Sequence, residues 1–133
     1  MTEHLDHVKL IAGYQIFWAH LKAAIRATSE FEVEILCRDQ GSDPHNGPLS
    51  YQSVATREEL NIAAMDFDLV APDPIRSLST EIFERFDRWY DQVWSEDFPL
   101  PDSIKTDMLR ELHDDLLTLT ELIHIAVNQD DAT

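Results

Sequence analysis

Basic residues are scarce in this chain. Ten Lys and Arg stand against twenty-six Asp and Glu in 133 residues, a formal charge of −16. That shortage argues against a free-standing nucleic-acid binder, because phosphate contacts need clustered cations. It argues equally against docking on anionic membrane. Glycine is nearly missing too, at three residues, and nothing resembles a Gly-rich phosphate loop, a zinc ligand cluster or a Ser-His-Asp set. The single Cys37 rules out an internal disulfide and fits a reducing compartment, with a buried structural thiol as its ordinary role. Long hydrophobic runs are also lacking. The most apolar N-terminal segment, 10–19, is interrupted by Gln15 and is too short to span a bilayer. No N-terminal stretch joins a basic region, an apolar run and a small-residue cleavage site, so a cytoplasmic protein is expected.

What is present is the material of one packed domain. Apolar residues make up 44% and aromatics 9%, too much for a disordered chain. The length suits a single core, with the helical domain over 1–128 and a frayed acidic tail over 129–133. Four segments carry helical periodicity. In the first, 3–27, Leu5, Val8, Ile11, Trp18, Leu21 and Ile25 form one stripe, and Leu10, Phe17 and Ala24 form a second. Two stripes imply burial on more than one side, so this helix is central or also serves a partner. A homodimer through it, or a place in a larger assembly, is one reading.

Thr28-Ser29 breaks the pattern, and Ser29 caps a short helix ending before Gly41. The alternation of Phe31, Val33, Ile35 and Cys37 also suits a strand, which 49–54 would pair with as a hairpin spanning about 30–55. Asp43-Pro44 and Asn46-Gly47-Pro48 mark 41–55 as a loop. Thr56 and Glu59 make a capping box for a helix over 57–69. Asp73 caps the next helix, with Pro74 at its first position. Its apolar line is Ile75, Leu78, Ile82, Phe86, Trp89 and Val93, widened by Phe83, Tyr90 and Trp94. After the Phe98-Pro99-Leu100-Pro101 turn, a helix capped by Asp102 runs to about 127 with Met108, Leu112, Leu116, Leu119, Ile123 and Ala126 in line. The expected fold is an all-α compact bundle of four to five helices, with the hairpin as the alternative.

The sharpest chemical pattern is Glu81-x-x-Glu84 followed by Glu111-x-x-Asp114. It resembles the paired acidic motif of the all-α nucleotide pyrophosphohydrolases (MazG-like enzymes). The resemblance implies a Mg²⁺-dependent nucleoside triphosphate pyrophosphohydrolase, in which carboxylates one helical turn apart on neighbouring helices hold the metal against a triphosphate. At 100° per residue, however, Glu81, Glu84, Arg88 and Asp91 fall opposite the 82–86–93 line. Asp107, Glu111, Asp114 and Glu121 likewise lie away from their own apolar line. Arg85 and Arg88 fall four residues after Glu81 and Glu84, at ion-pair spacing. Glu121-x-x-His124 matches half of a di-iron helix motif, and the chain holds no second copy. His113 and His124 fall near one face of that helix.

The residues themselves therefore point to binding without a cofactor or metal. By segment the formal charge is −2 over 1–41, −4 over 42–71, −4 over 72–100 and −6 over 101–133. The expected function is that of an acidic helical inhibitor, antitoxin or immunity-type protein, which occupies the basic, nucleic-acid-handling surface of a protein partner without binding nucleic acid or membrane itself. The expected interaction surface is Glu81, Glu84, Asp91, Asp107, Glu111, Asp114, Asp115 and Glu121, with Tyr90 or Trp94 as an aromatic anchor.

Overall fold

Proline and its neighbours set two of the helix boundaries. A computed structural model describes residues 6–37, 47–94 and 102–131, with side chains over 6–35, 47–94 and 106–128. In chain order the helices are α1 (His7–Cys37), α2 (Pro48–Val70), α3 (Asp73–Trp94) and α4 (Asp102–Asp131). Gly47 takes the extended N-cap conformation and Pro48 opens α2, where its missing N–H costs nothing. Ser50 Oγ donates to Gly47 O at 2.7 Å. At the other end the Ala71 N–H bonds Phe67 O, and Pro72 follows. Arg76 then folds back, its Nη2 on Ala71 O at 2.9 Å and its Nε on Asp68 O at 3.1 Å. One guanidinium thus satisfies carbonyls that the end of α2 leaves open.

α1 packs most extensively on α2, and α3 on α4. The α1–α2 pair is antiparallel, since Gly13 meets Phe67 and Val70, while Thr28 Oγ1 and Ser53 Oγ share a buried hydrogen bond at 3.3 Å. The core runs through all four helices, with Phe17, Phe31, Phe67, Phe86 and Trp89 its largest fully buried side chains. Phe17 stacks on Phe67 with ring centres 5.7 Å apart. Tyr14 reaches α4 through a 2.6 Å hydrogen bond with Thr120.

The all-α bundle has four helices, and the hairpin alternative over 30–55 is corrected, because the described residues of that range are helical apart from the cap residue Gly47. Phe31 and Glu32 are both buried and Val33 is exposed, the pattern of a helix and not of alternating strand faces. Thr28-Ser29 does not break α1. Thr28 is a core residue whose hydroxyl is satisfied by Ser53, so the polar pair ties α1 to α2 instead of ending a helix. α2 likewise begins at Pro48, eight residues before Thr56 of the expected capping box. Thr56 lies inside it, bonding Gln52 O at 2.8 Å and Ser53 O at 3.1 Å, the back-bonding habit of mid-helix threonine. Asp73 is the first residue of α3 and not its cap, and its carboxylate pairs with Arg76 at 3.4 Å. α4 continues to Asp131, through three of the five residues read as a tail. The turns at 43–44 and 98–101 and the side chain of Cys37 lie outside the described residues.

The second stripe of α1 faces the core, joined by Leu21 of the first. Leu10, Phe17 and Ala24 are fully buried along with Leu21 and Phe31, whereas Val8 is 78% exposed and Ile11 is at the surface. Gly13 explains the choice, since it lets α2 approach on that side. A Cβ there would stand 3.0 Å from Phe67 Cδ1 and 3.3 Å from Val70 Cγ2. Phe67 is fully buried and stacked, so it has little room to yield. Gly13→Ala gains about 1 kcal/mol of helix propensity against about 1–3 kcal/mol for overpacking. A net loss of roughly 1 kcal/mol is expected, read as a lower urea midpoint with unchanged slope.

Candidate functional site

The helices carrying the candidate carboxylates each bury one clean stripe, which fixes where their polar residues go. On α3 the residues Ile75, Ser79, Ile82, Phe86, Trp89 and Val93 are buried. On α4 Leu112, Leu116, Leu119 and Ile123 are buried. Glu81, Glu84 and Asp91 of α3 are accordingly exposed, as are Asp107, Glu111, Asp114 and Glu121 of α4. Together they make an acidic outer face spanning both helices.

Arg85 organises the middle of that face. Helix spacing pairs it with Glu81 on α3, but its side chain turns across to α4. It bonds Glu111, and its Nη2 lies 3.2 Å from Asp115 Oδ2. The cross-helix choice follows from burial: Arg85 is only 20% exposed, and its long stem covers the α3–α4 seam while its charge meets two carboxylates. Asp115 is therefore half-buried between the helices, not part of the open face. Burial raises its pKa above the usual carboxylate value, Arg85 pulls the other way, and the negative charges of Glu81, Glu111 and Asp114 add to the rise. Four carboxylates from two helices thus share one electrostatic neighbourhood around a single guanidinium.

This raised pKa has a definite consequence for stability. The native state holds the Asp115 proton more tightly than the unfolded chain does. The group's contribution is present below the ordinary carboxylate pKa and is lost as pH rises through the native value. Asp115→Asn removes that dependence. Urea midpoints from about pH 4 to pH 7 are expected to fall less steeply with pH in the variant than in the wild type. Parallel curves would contradict it.

Tyr90 and Trp94 are half-buried and already engaged. Tyr90 lies under the Arg57 guanidinium at 5.6 Å and packs beside Phe86 and Trp94. Trp94 rests on Phe31 at 4.8 Å. Burial raises the Tyr90 phenol above its ordinary value, more than the nearby Arg57 cation lowers it. Both rings serve the packing of α3 and keep part of their surface exposed. Arg57 was legible only as a helix start, yet it joins α2 to α3. Its Nε donates to Asp87 Oδ1 at 2.8 Å, and that bond raises its pKa against the opposing effect of burial.

The four residues of the pyrophosphohydrolase resemblance do not come together as a group of three or more able to hold a metal ion. Glu111 is taken by Arg85. Among the described residues no three His, Cys, Asp or Glu side chains stand where they could hold a metal ion together. His113 and His124 are both exposed, and His124 bonds Asn128 at 3.0 Å. Among the described residues no helix is long and apolar enough to cross a membrane.

Sequence reasoning missed the largest exposed apolar side chains of α2, which are Tyr51, Ile62, Met65 and Leu69. Their signal was the three- and four-residue spacing of 62, 65 and 69, opposite the buried line of Leu60 and Phe67. Compared with known protein families, with curated proteins and with solved structures, the chain matches none of them.

Proposed function

We propose that this chain is an acidic helical binding protein, of the inhibitor, antitoxin or immunity type, whose α3–α4 face occupies a basic surface on a partner protein. The observation that carries this reading is the outward row of carboxylates: Glu81, Glu84 and Asp91 on α3, and Asp107, Glu111, Asp114 and Glu121 on α4. Three cations, Arg85, Arg88 and Arg110, stand among these seven carboxylates, so the face stays net negative. Arg85 is drawn inward to Asp115 and Glu111, and Arg110 pairs with Asp107 at 3.7 Å. A field of this sign speeds encounter with cationic surfaces, including grooves that otherwise hold nucleic acid, and repels nucleic acid itself. Binding rests on charge complementarity presented by a preformed helical scaffold, with no bond made or broken and no cofactor.

The test is capture of partners from native cells on immobilised protein, with a Glu84→Gln, Asp114→Asn, Glu121→Gln variant beside it. The reading expects a basic partner that the wild type retains at low salt, releases at high salt, and that the variant retains poorly. A partner held equally by both proteins at every salt concentration would sink it.

A further inference from the structure

α1 and α2 remain apolar on the side turned away from the core. On α1, Val8 and Ile16 are exposed, and on α2 Ile62, Met65 and Leu69 are exposed, Leu69 at 82%. The antiparallel pairing seats Gly13 against Phe67 and Val70 and His20 beside Glu59. Residues 8–16 therefore lie along 62–69, in one half of the hairpin. Their exposed side chains form a single surface of two stripes.

The charge on this surface is divided between the helices. Over residues 7–29 α1 holds Lys9, Lys22 and Arg26 and no Asp or Glu, while Glu30, Glu32 and Glu34 fall in its last turns. Arg26 pairs with Glu30 at 3.3 Å, which leaves Lys9 and Lys22 as the cations offered to a partner. α2 carries Glu58, Glu59, Asp66 and Asp68, and its one cation, Arg57, is committed to Asp87. A purely basic partner would meet the cations of α1, and a purely acidic one the carboxylates of α2. A second copy of this chain satisfies both. A two-fold axis that lays α1 of each copy on α2 of the other brings opposite charges together twice and buries both apolar stripes. The acidic faces of α3 and α4 belong to the other two helices, so most of the like charge stays off the contact.

We infer that the outer face of α1 and α2 is the interface of a homodimer, with α1 of each copy packed on α2 of its partner copy. This goes beyond the binding role of α3 and α4 and stands independently of it. It sharpens the role of α1 as a two-faced helix by adding α2 as the complementary half.

Sedimentation of the purified full chain tests it. The wild type is expected to dimerise with rising concentration. Leu69→Glu is expected to weaken dimerisation about tenfold or more while leaving helicity by circular dichroism unchanged, since this side chain touches solvent and not the core. Charge reversal gives a second arm that needs no knowledge of register. Lys9→Glu with Lys22→Glu, and separately Glu58→Lys with Asp66→Lys, should each be monomeric alone. Mixed together they should form a heterodimer, because reversed α1 then meets reversed α2 and the two unaltered helices meet each other. A wild type that stays monomeric, reversed chains that dimerise like the wild type, or a mixture that stays monomeric would each overturn the inference.

Discussion

Replacing Trp89 by alanine is expected to cost about 3–5 kcal/mol, the largest loss from any single side chain in the bundle. Trp89 is one of the most deeply buried residues and stands edge-on to Phe86 with ring centres 6.0 Å apart. Its removal opens a cavity between α1 and α3 that the helices close only in part. The indole also carries a polar duty, because its Nε1 donates to Oε2 of the buried Glu32 at 3.4 Å. Alanine takes away both the packing and the donor, and a buried carboxylate that loses a donor is costly. Domains of this size are stable by about 5–15 kcal/mol, so the variant should sit near the edge of unfolding at room temperature. Trp89→Phe separates the two effects. It keeps most of the ring volume and loses the donor, and is expected to cost about 1–3 kcal/mol. Urea unfolding of the three proteins measures the ladder. Equal losses in both variants would place the whole effect in the Glu32 bond and contradict the packing account.

The second large effect is expected in binding and not in stability. Glu84, Asp114 and Glu121 are exposed on α3 and α4, away from the core, and surface substitutions of this kind change stability by about 0.5 kcal/mol or less each. Neutralising all three leaves fewer charges of one sign on a chain of formal charge −16, so the fold should be unharmed. Association with a basic partner should slow about 10- to 100-fold at low salt, because long-range steering depends on the summed field. The dissociation rate should change much less, since rim charges act mainly on encounter. Stopped-flow mixing over a range of salt separates the two rates. A variant that associates as fast as the wild type would remove these carboxylates from the interface.

The contrast between α3–α4 and α1–α2 explains what was legible in the sequence. α3 has one apolar line and a polar remainder, so 82, 86, 89 and 93 could be assigned to the core directly, and the outward placement of Glu84 and Asp91 followed from helix geometry. α1 and α2 are apolar on two sides. Periodicity marks both stripes of such a helix but does not decide which one faces the core. Leu10 and Phe17 prevailed over Val8 and Ile11 because Gly13 admits Phe67, a contact between residues far apart in the chain. Thr28 and Thr56 were read as boundaries for a related reason. Threonine favours helix ends in isolation, and only the presence of Ser53 and of a preceding helical turn makes these positions interior. Arg85 shows the same limit at the candidate site. Its spacing from Glu81 fits an intrahelical pair, yet α4 offers two carboxylates in a half-buried seam, and that choice is visible only once the helices are packed.

The central claim, that the α3–α4 face engages a basic surface through its charge, is tested most directly by one titration. The dissociation constant of the complex with the captured basic partner is measured against ionic strength for the wild type and the Glu84→Gln, Asp114→Asn, Glu121→Gln variant. Charge-driven binding predicts affinity that falls steeply with salt in the wild type and less steeply, from a weaker start, in the variant. Affinity that holds constant across salt, or identical curves for the two proteins, would contradict it.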